Sequence, residues 1–235
     1  MLECGPRMAA LALLRLRPRI VFLRIAITCL GSLLVGCSAV TSSPQPGTLL
    51  FRDDFSRPSS GWDRYRDATL ESDYSAEAYQ IAVLEPDRIA WARPGLHFAD
   101  AIIEVDATVT DGPDNNALGL ICRYQDPDNF YFFLVSADGF AGIGQRRNGV
   151  QRMFNDAAML PADSILLGRS TNHLRAECSG TRLTLSVNGV PLRQATDDAF
   201  AAGDAGLLAG TYDLPGTRIS FDNFVVHQAE PPPAP

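Results

Sequence analysis

Residues 117–147 read ALGLICRYQDPDNFYFFLVSADGFAGIGQRR. Two runs rich in apolar, β-branched and aromatic residues flank Gln125-Asp126-Pro127-Asp128-Asn129, and a third follows Ala137-Asp138-Gly139. Turn-forming residues between such runs predict a three-stranded antiparallel meander. The flanking sequence continues in the same manner. In residues 100–110, Ile103, Val105, Ala107 and Val109 alternate with Glu104, Asp106 and Thr108, the period of a strand with one buried and one wet face. Leu174, Ala176 and Cys178 mirror Leu183, Leu185 and Val187 across Ser179-Gly180, and Asn188-Gly189 is the strongest short turn signal in the chain. Further strands are expected at 49–55, 78–84, 88–93, 150–154, 206–212 and 217–227, with a looser connection at 155–168 that has room for a helical turn. About twelve short strands at close spacing imply an all-β fold, with two antiparallel sheets packed as a sandwich or closed as a barrel.

The chain has 235 residues, with 20 basic and 27 acidic side chains. Five of the basic residues (Arg7, Arg15, Arg17, Arg19 and Arg24) and one acid (Glu3) precede Cys37. Removing them leaves 15 basic and 26 acidic residues, a net charge of −11. That charge disfavours nucleic acid and anionic headgroups as partners, because both require a basic face. Every basic residue is arginine.

An Arg-rich start, an apolar run from Ile20 to Val35 and the closing Leu34-Val35-Gly36-Cys37 together resemble the lipobox of bacterial lipoproteins. The resemblance implies that residues 1–36 are a signal peptide. Cys37 would carry lipid on its sulfur, and the product would be held in the cell envelope by its membrane anchor, facing the periplasm or the exterior. A spanning helix is the competing reading, but the apolar run falls short of the roughly 20 residues a bilayer requires. Residues 37–48 form a small, polar tether, 49–228 the folded body, and 229–235 a Pro-rich extended tail. With Cys4 and Cys29 in the leader, Cys122 and Cys178 remain in the body. In an exported protein they are expected to pair as a disulfide, the alternative being two separate buried thiols.

Several short motifs occur in order: Asp53-Asp54-Phe55 with Gly61-Trp62, residues 119–124 with Tyr131-Phe132-Phe133, residues 183–189, and the closing Phe221-Asp222-Asn223-Phe224. This order resembles the concanavalin A-like jelly rolls, and is most similar to their laminin G-like and 3-keto-disaccharide hydrolase-like members. The likeness covers roughly Leu49 to His227 and implies a two-sheet antiparallel jelly-roll sandwich.

Glycoside hydrolysis on such a fold needs two carboxylates across a cleft. Related enzymes place them on one strand as Glu-x-Asp-x-x-Glu or Glu-x-Asp-x-Glu. Glu104 and Asp106 match the first two positions, but Thr108 and Val109 occupy those of the second Glu. The hydrolase-like resemblance also implies an Arg on a concave sheet, which here is Arg123. His173 and His227 are far apart in sequence, and neither a zinc spacing nor a Ser/His/Asp set is present. Glycan binding without catalysis needs aromatic platforms and planar polar groups. Trp91, Arg123, Tyr124, Tyr131, Arg146 and Arg147 are the candidates. If Cys122 faces the core, strict alternation turns Tyr124 inward and Arg123 outward. The jelly-roll resemblance makes Asp53, Asp54 and Asp222, where the first and last strands meet, candidate ligands for a structural Ca²⁺, with Asp114, Asp126 and Asp128 as weaker ones; the alternative is acidic residues that form turns and keep the chain soluble. No cofactor is required. The sequence therefore reads as an envelope lipoprotein with a non-catalytic recognition module for carbohydrate. The alternatives are a sugar-processing hydrolase and an adhesion module that pairs with cell-envelope proteins.

Overall fold

The computed structural model describes residues 44–154 and 158–230. The chain divides into Met1–Thr41 and a separate unit, Ser42–Pro235, and every described residue belongs to the second. The leader, Cys37 and the end of the tail lie outside the described residues.

Seventeen strands follow in chain order among those residues: β1 (Leu49–Asp53), β2 (Tyr65–Arg66), β3 (Leu70–Ser75), β4 (Ala78–Val83), β5 (Arg88–Ala92), β6 (His97–Phe98), β7 (Ala101–Asp111), β8 (Asn116–Asp126), β9 (Asn129–Val135), β10 (Phe140–Arg147), β11 (Val150–Met153), β12 (Leu160–Pro161), β13 (Thr171–Ser179), β14 (Arg182–Val187), β15 (Val190–Thr196), β16 (Gly203–Thr211) and β17 (Thr217–Gln228). The larger sheet runs β15-β14-β13-β7-β17-β4-β3-β2, with β1 also on β17; the smaller runs β11-β10-β9-β8-β16-β5, with β12 on β10 and β6 on β16. All pairings are antiparallel. The expected meander is β8-β9-β10, at the heart of the smaller sheet. Strands β2, β3, β6, β12 and β15 add to the expected set. In β2, β3 and β15 the composition is polar and the burial slight, so hydrophobic patterning left them invisible.

The main core lies between the sheets. Ile103, Val105, Ala107 and Val109 of β7 meet Leu118, Leu120, Tyr131 and Phe133 of the meander, all buried. Cys122 of β8 and Cys178 of β13 form a disulfide joining the two sheets, both cysteines within the core. One end of the core is packed with rings. Phe55 lies 5.1 Å from Trp62, and Trp62 lies 4.9 Å edge-on to Phe224, a geometry that aromatic quadrupoles favour.

The strand directions define two poles. At one, the chain enters the sheet beside its last strand, with Gly47 N donating to Gln228 O at 2.9 Å and Gln228 N to Thr48 O at 2.8 Å. The start of β7, the β13–β14 turn and the end of β8 share this pole. At the other lie the β7–β8 loop, the β9–β10 turn, the end of β16 and the start of β17.

Candidate functional site

Alternation along the meander puts a second apolar cluster on the outer face of the smaller sheet. Ala117 and Ile121, Phe130, Phe132 and Leu134, and Leu208 of β16 face away from the main core, joined by Tyr124, Trp91, Met153, Met159 and Tyr212. Glycines in β10 make room for this layer. A Cβ at Gly144 would collide with the Phe132 ring, and one at Gly142 with the Met153 side chain.

Towards the second pole this face opens into a cavity of about 500 Å³, lined by Leu134, Phe140, Met153, Ala158, Met159 and Tyr212 together with the polar groups of Asn115, Ser136, Asp138 and Gln151. Its polar wall is fixed by hydrogen bonds between the β7–β8 loop and the β9–β10 turn. Asp138 N donates to Asp114 O at 3.1 Å, Ala137 N donates to the buried Asn116 Oδ1 at 3.1 Å, and the Ser136 hydroxyl sits against Asp138 Oδ1. Asn115 Nδ2 donates to Asp213 Oδ2 at 3.2 Å, which ties in the β16–β17 turn. The Tyr212 hydroxyl reaches Met159 Sδ at 3.4 Å. Burial, followed by the charge of Asp138, pushes the Tyr212 phenol above its ordinary value. Aromatic, apolar and planar polar groups thus converge in a cavity of ligand size.

The residues expected from sequence divide. Trp91 and Arg146 do share this outer face: the Arg146 guanidinium is 6.0 Å from the Trp91 ring, and Arg93 is 4.1 Å over Tyr124. Arg147, at the end of β10, is exposed. Arg123 and Tyr131 do not reach the surface. Pairing of β8 slips between Cys122 and Asp126, and Arg123 adopts φ 50°. This bulge inverts the expected orientation, because an extra residue resets the alternation. Tyr124 joins the outer cluster, while Arg123 turns in and is only 3% exposed. A depression of about 320 Å³ touches it, but its donors are engaged. Nε bonds to Ala99 O at 3.1 Å, Nη1 to Gly180 O at 2.7 Å and Phe200 O at 3.0 Å, and Nη2 to Asp100 Oδ1 at 3.0 Å. Burial draws its pKa down and the Asp100 charge opposes this. Tyr131 lies in the main core, donating to Asp197 Oδ1 at 2.6 Å and accepting from Phe200 N at 3.1 Å.

The calcium expectation finds no converging ligand set. Asp53 is buried, its Oδ1 accepting from Phe55 N at 2.8 Å and its Oδ2 from Trp62 Nε1 at 2.9 Å. Asp54 turns to the Ser56 hydroxyl at 2.6 Å. Asp222 lines a separate polar cavity of about 380 Å³ on the outer face of the larger sheet, with Asp106 and Ser220. Asp126 accepts from Asp128 N and from Asn129 Nδ2 within its own turn. Among the described residues no group of three or more acidic, His or Cys side chains is arranged to hold a metal.

Two residues distant in sequence are nevertheless brought together on that outer face. His173 Nε2 and His227 Nδ1 flank Glu104 at 3.7 and 3.6 Å, and His173 Nδ1 is 2.8 Å from Asp106 Oδ1. Arg175 Nε is 3.6 Å from the same Glu104 carboxylate. The carboxylates that match part of a hydrolase motif are therefore members of a cross-strand ionic lattice.

No protein-family model matches the chain, and no curated protein does. Solved structures do. The carbohydrate-binding module CBM66 from Bacillus subtilis superimposes with a TM-score of 0.57 at 22% identity, covering 72% of this chain and 96% of that one. A Bacillus subtilis protein of unknown function with a galectin-like fold gives 0.58 at 15% identity, covering 80% and 99%. The GH43 protein BlXynB from Bacillus licheniformis gives 0.55 at 12% identity, covering 75% of this chain but 39% of its own length. At these identities the likeness establishes the two-sheet β-sandwich, and function has to be argued from the site.

Proposed function

We propose that this protein is an envelope lipoprotein, anchored through Cys37, whose sandwich binds carbohydrate without catalysis in the cavity on the outer face of the smaller sheet. The carrying observation is the lining itself. Phe140 and Tyr212 offer apolar ring surface for sugar C–H groups, and Asn115, Asp138 and Gln151 offer planar donors and acceptors for hydroxyls. The structural neighbours named for carbohydrate binding and glycoside hydrolysis support the reading. A disulfide agrees with export to an oxidising compartment. The first strand enters at the pole opposite the cavity, so a tether on that side would leave the cavity open to the surroundings.

The test is a glycan array probed with the full chain in detergent. Hits that weaken at least about tenfold in Tyr212→Ala and Asn115→Ala, with the melting temperature of Asn115→Ala held, are the expected result. A blank array sinks the carbohydrate reading. It would favour adhesion instead, for which Leu166, Leu167 and Leu214 are 52%, 62% and 60% exposed and available for contact with an envelope protein. A hydrolase working through Arg123 lacks support, since that guanidinium is consumed by backbone carbonyls and Asp100.

A further inference from the structure

The described lining of the 500 Å³ cavity contains one formally charged side chain, Asp138, and no basic one. The arginines near this pole lie outside the described lining: Arg152, between Gln151 and Met153, sits over the Phe154 ring at 5.8 Å, and Arg193 donates to the carbonyls of Ala141, Leu160 and Pro161. Arg88 pairs with Glu85 at 3.0 Å, Arg169 with Asp111 at 3.3 Å and Arg218 with Glu71 at 3.5 Å. Asp213 adds a second carboxylate next to the lining through Asn115. Ser136 engages Oδ1 of Asp138, while among the described residues no donor is bonded to Oδ2. The remaining walls are Phe140, Tyr212, Met153, Met159 and Leu134, which suit an apolar body and the positive edge of a polarised C–H or N–H group. An acidic sugar entering here would meet like charge with no cation in the described lining to offset it, whereas a protonated amine would meet the exposed Asp138 carboxylate as a counter-ion.

We infer that the cavity selects a sugar carrying a free, protonated amine, with Asp138 as its counter-ion, over N-acetylated and uronic acid sugars. The inference rests on the carbohydrate reading above and narrows it to a ligand class. A charge-assisted hydrogen bond to a carboxylate is about twice as strong as a neutral one. Asp138→Asn keeps the shape and the Ser136 contact while removing the charge.

The experiment is calorimetric titration of the full chain in detergent, at about pH 6, where an α-amino group is protonated, and about 0.15 M salt. The probes are the fully deacetylated glucosamine tetramer, its N-acetylated counterpart and a galacturonic acid tetramer. The chain as a whole is acidic, so Asp54→Asn, which removes one exposed charge outside the cavity, serves as the control for bulk attraction. The expected result is a preference of about tenfold or more for the deacetylated tetramer in the unaltered protein and in Asp54→Asn. In Asp138→Asn the preference should shrink to within about twofold, with the N-acetylated affinity retained. Equal affinities for the three probes, a preference for the uronate, or a preference that survives in Asp138→Asn overturns the inference and leaves carbohydrate binding standing. Failure of every oligosaccharide to bind removes both. Should Asp138→Asn not fold, the ranking of the three probes by the unaltered chain still decides, since a uronate at parity with the amine is incompatible with a described lining whose only formal charge is negative.

Discussion

Arg123 sits where the backbone departs from strand geometry, at φ 50°, and its guanidinium gathers three carbonyl oxygens and one carboxylate from three segments of chain. Only a planar fork with several fixed donors can do this, and a lysine ammonium would satisfy fewer of the acceptors. Arg193 repeats the device on the other edge of the sandwich, with Leu160 O at 2.7 Å, Pro161 O at 2.9 Å and Ala141 O at 3.2 Å. Arg123→Ala should therefore lower stability by about 3–5 kcal/mol and Arg123→Lys by somewhat less, because Asp100 and the carbonyls lose their donors. Urea unfolding measures this, and a loss below about 1 kcal/mol for the alanine variant would show that the clip is idle. Asp53 is a second buried hub. Asp53→Ala strips the indole of Trp62 and the amide of Phe55 of their acceptor and should cost about 2–3 kcal/mol, whereas chelator should leave the melting temperature of the unaltered chain where it was. Arg123 was misread from sequence because Cys-Arg-Tyr carries no mark of a bulge: an alternating pattern specifies facing only while the register holds. The outward aromatic and the inward guanidinium are local consequences of one extra residue in β8 against β16.

At the level of elements, β7 was fully legible. Its burial alternates residue by residue from Ala101 to Val109, as Ile103, Val105, Ala107 and Val109 against Glu104, Asp106 and Thr108 require. Strand β16 shows the opposite case. It is buried along both faces, since the main core lies on one side and the outer apolar cluster on the other, and a two-sided run has no alternation to read. The cavity was illegible for a related reason. Asn115, Asp138, Gln151 and Tyr212 come from four separate loops and strands, and Asp138-Gly139 is fully accounted for locally as a turn. The glycines at 142 and 144, which leave space for Phe132 and Met153 on the outer face, were the available clue. The link between β8 and β13 carries its own prediction. Its cysteines are 56 residues apart, so Cys122→Ser with Cys178→Ser should cost about 4 kcal/mol by loop closure. Unfolding of the oxidised and reduced protein at equal denaturant measures it, and coincident transitions would refute a stabilising bridge.

The whole molecule responds to acid through opposed groups. Asp73 is held below the ordinary carboxylate value chiefly by its hydrogen bond from Arg64, and Asp67 by the Tyr65 hydroxyl and the amides of Thr69 and Leu70. For both, the folded value lies below the unfolded one. Their contribution is whole above about pH 4 and lost as pH falls through the depressed values. Asp204 runs the other way. Burial raises its pKa despite Leu96 N and Arg93, so its share is present at low pH and lost as pH rises through the folded value. The melting temperature should fall between about pH 4 and pH 2, and fall more steeply in Asp204→Asn, which removes a carboxyl whose protonation the fold favours. A shallower acid limb in that variant would contradict the assignment. The fold class could be read from hydrophobic spacing because sheet packing is a summed property of many residues. The candidate site depends on a handful of side chains that only the finished topology makes neighbours.

The pairing of Thr48 and Gly47 with Gln228 makes the two extremities of the sandwich near neighbours, on the side remote from Asp138 and Tyr212. A fluorophore, a sensor-chip linkage or a second protein fused at either extremity would therefore project away from the cavity mouth. A short peptide splicing the extremities together, with new ends opened at Asn188-Gly189, should yield a circularly permuted chain with the same sandwich.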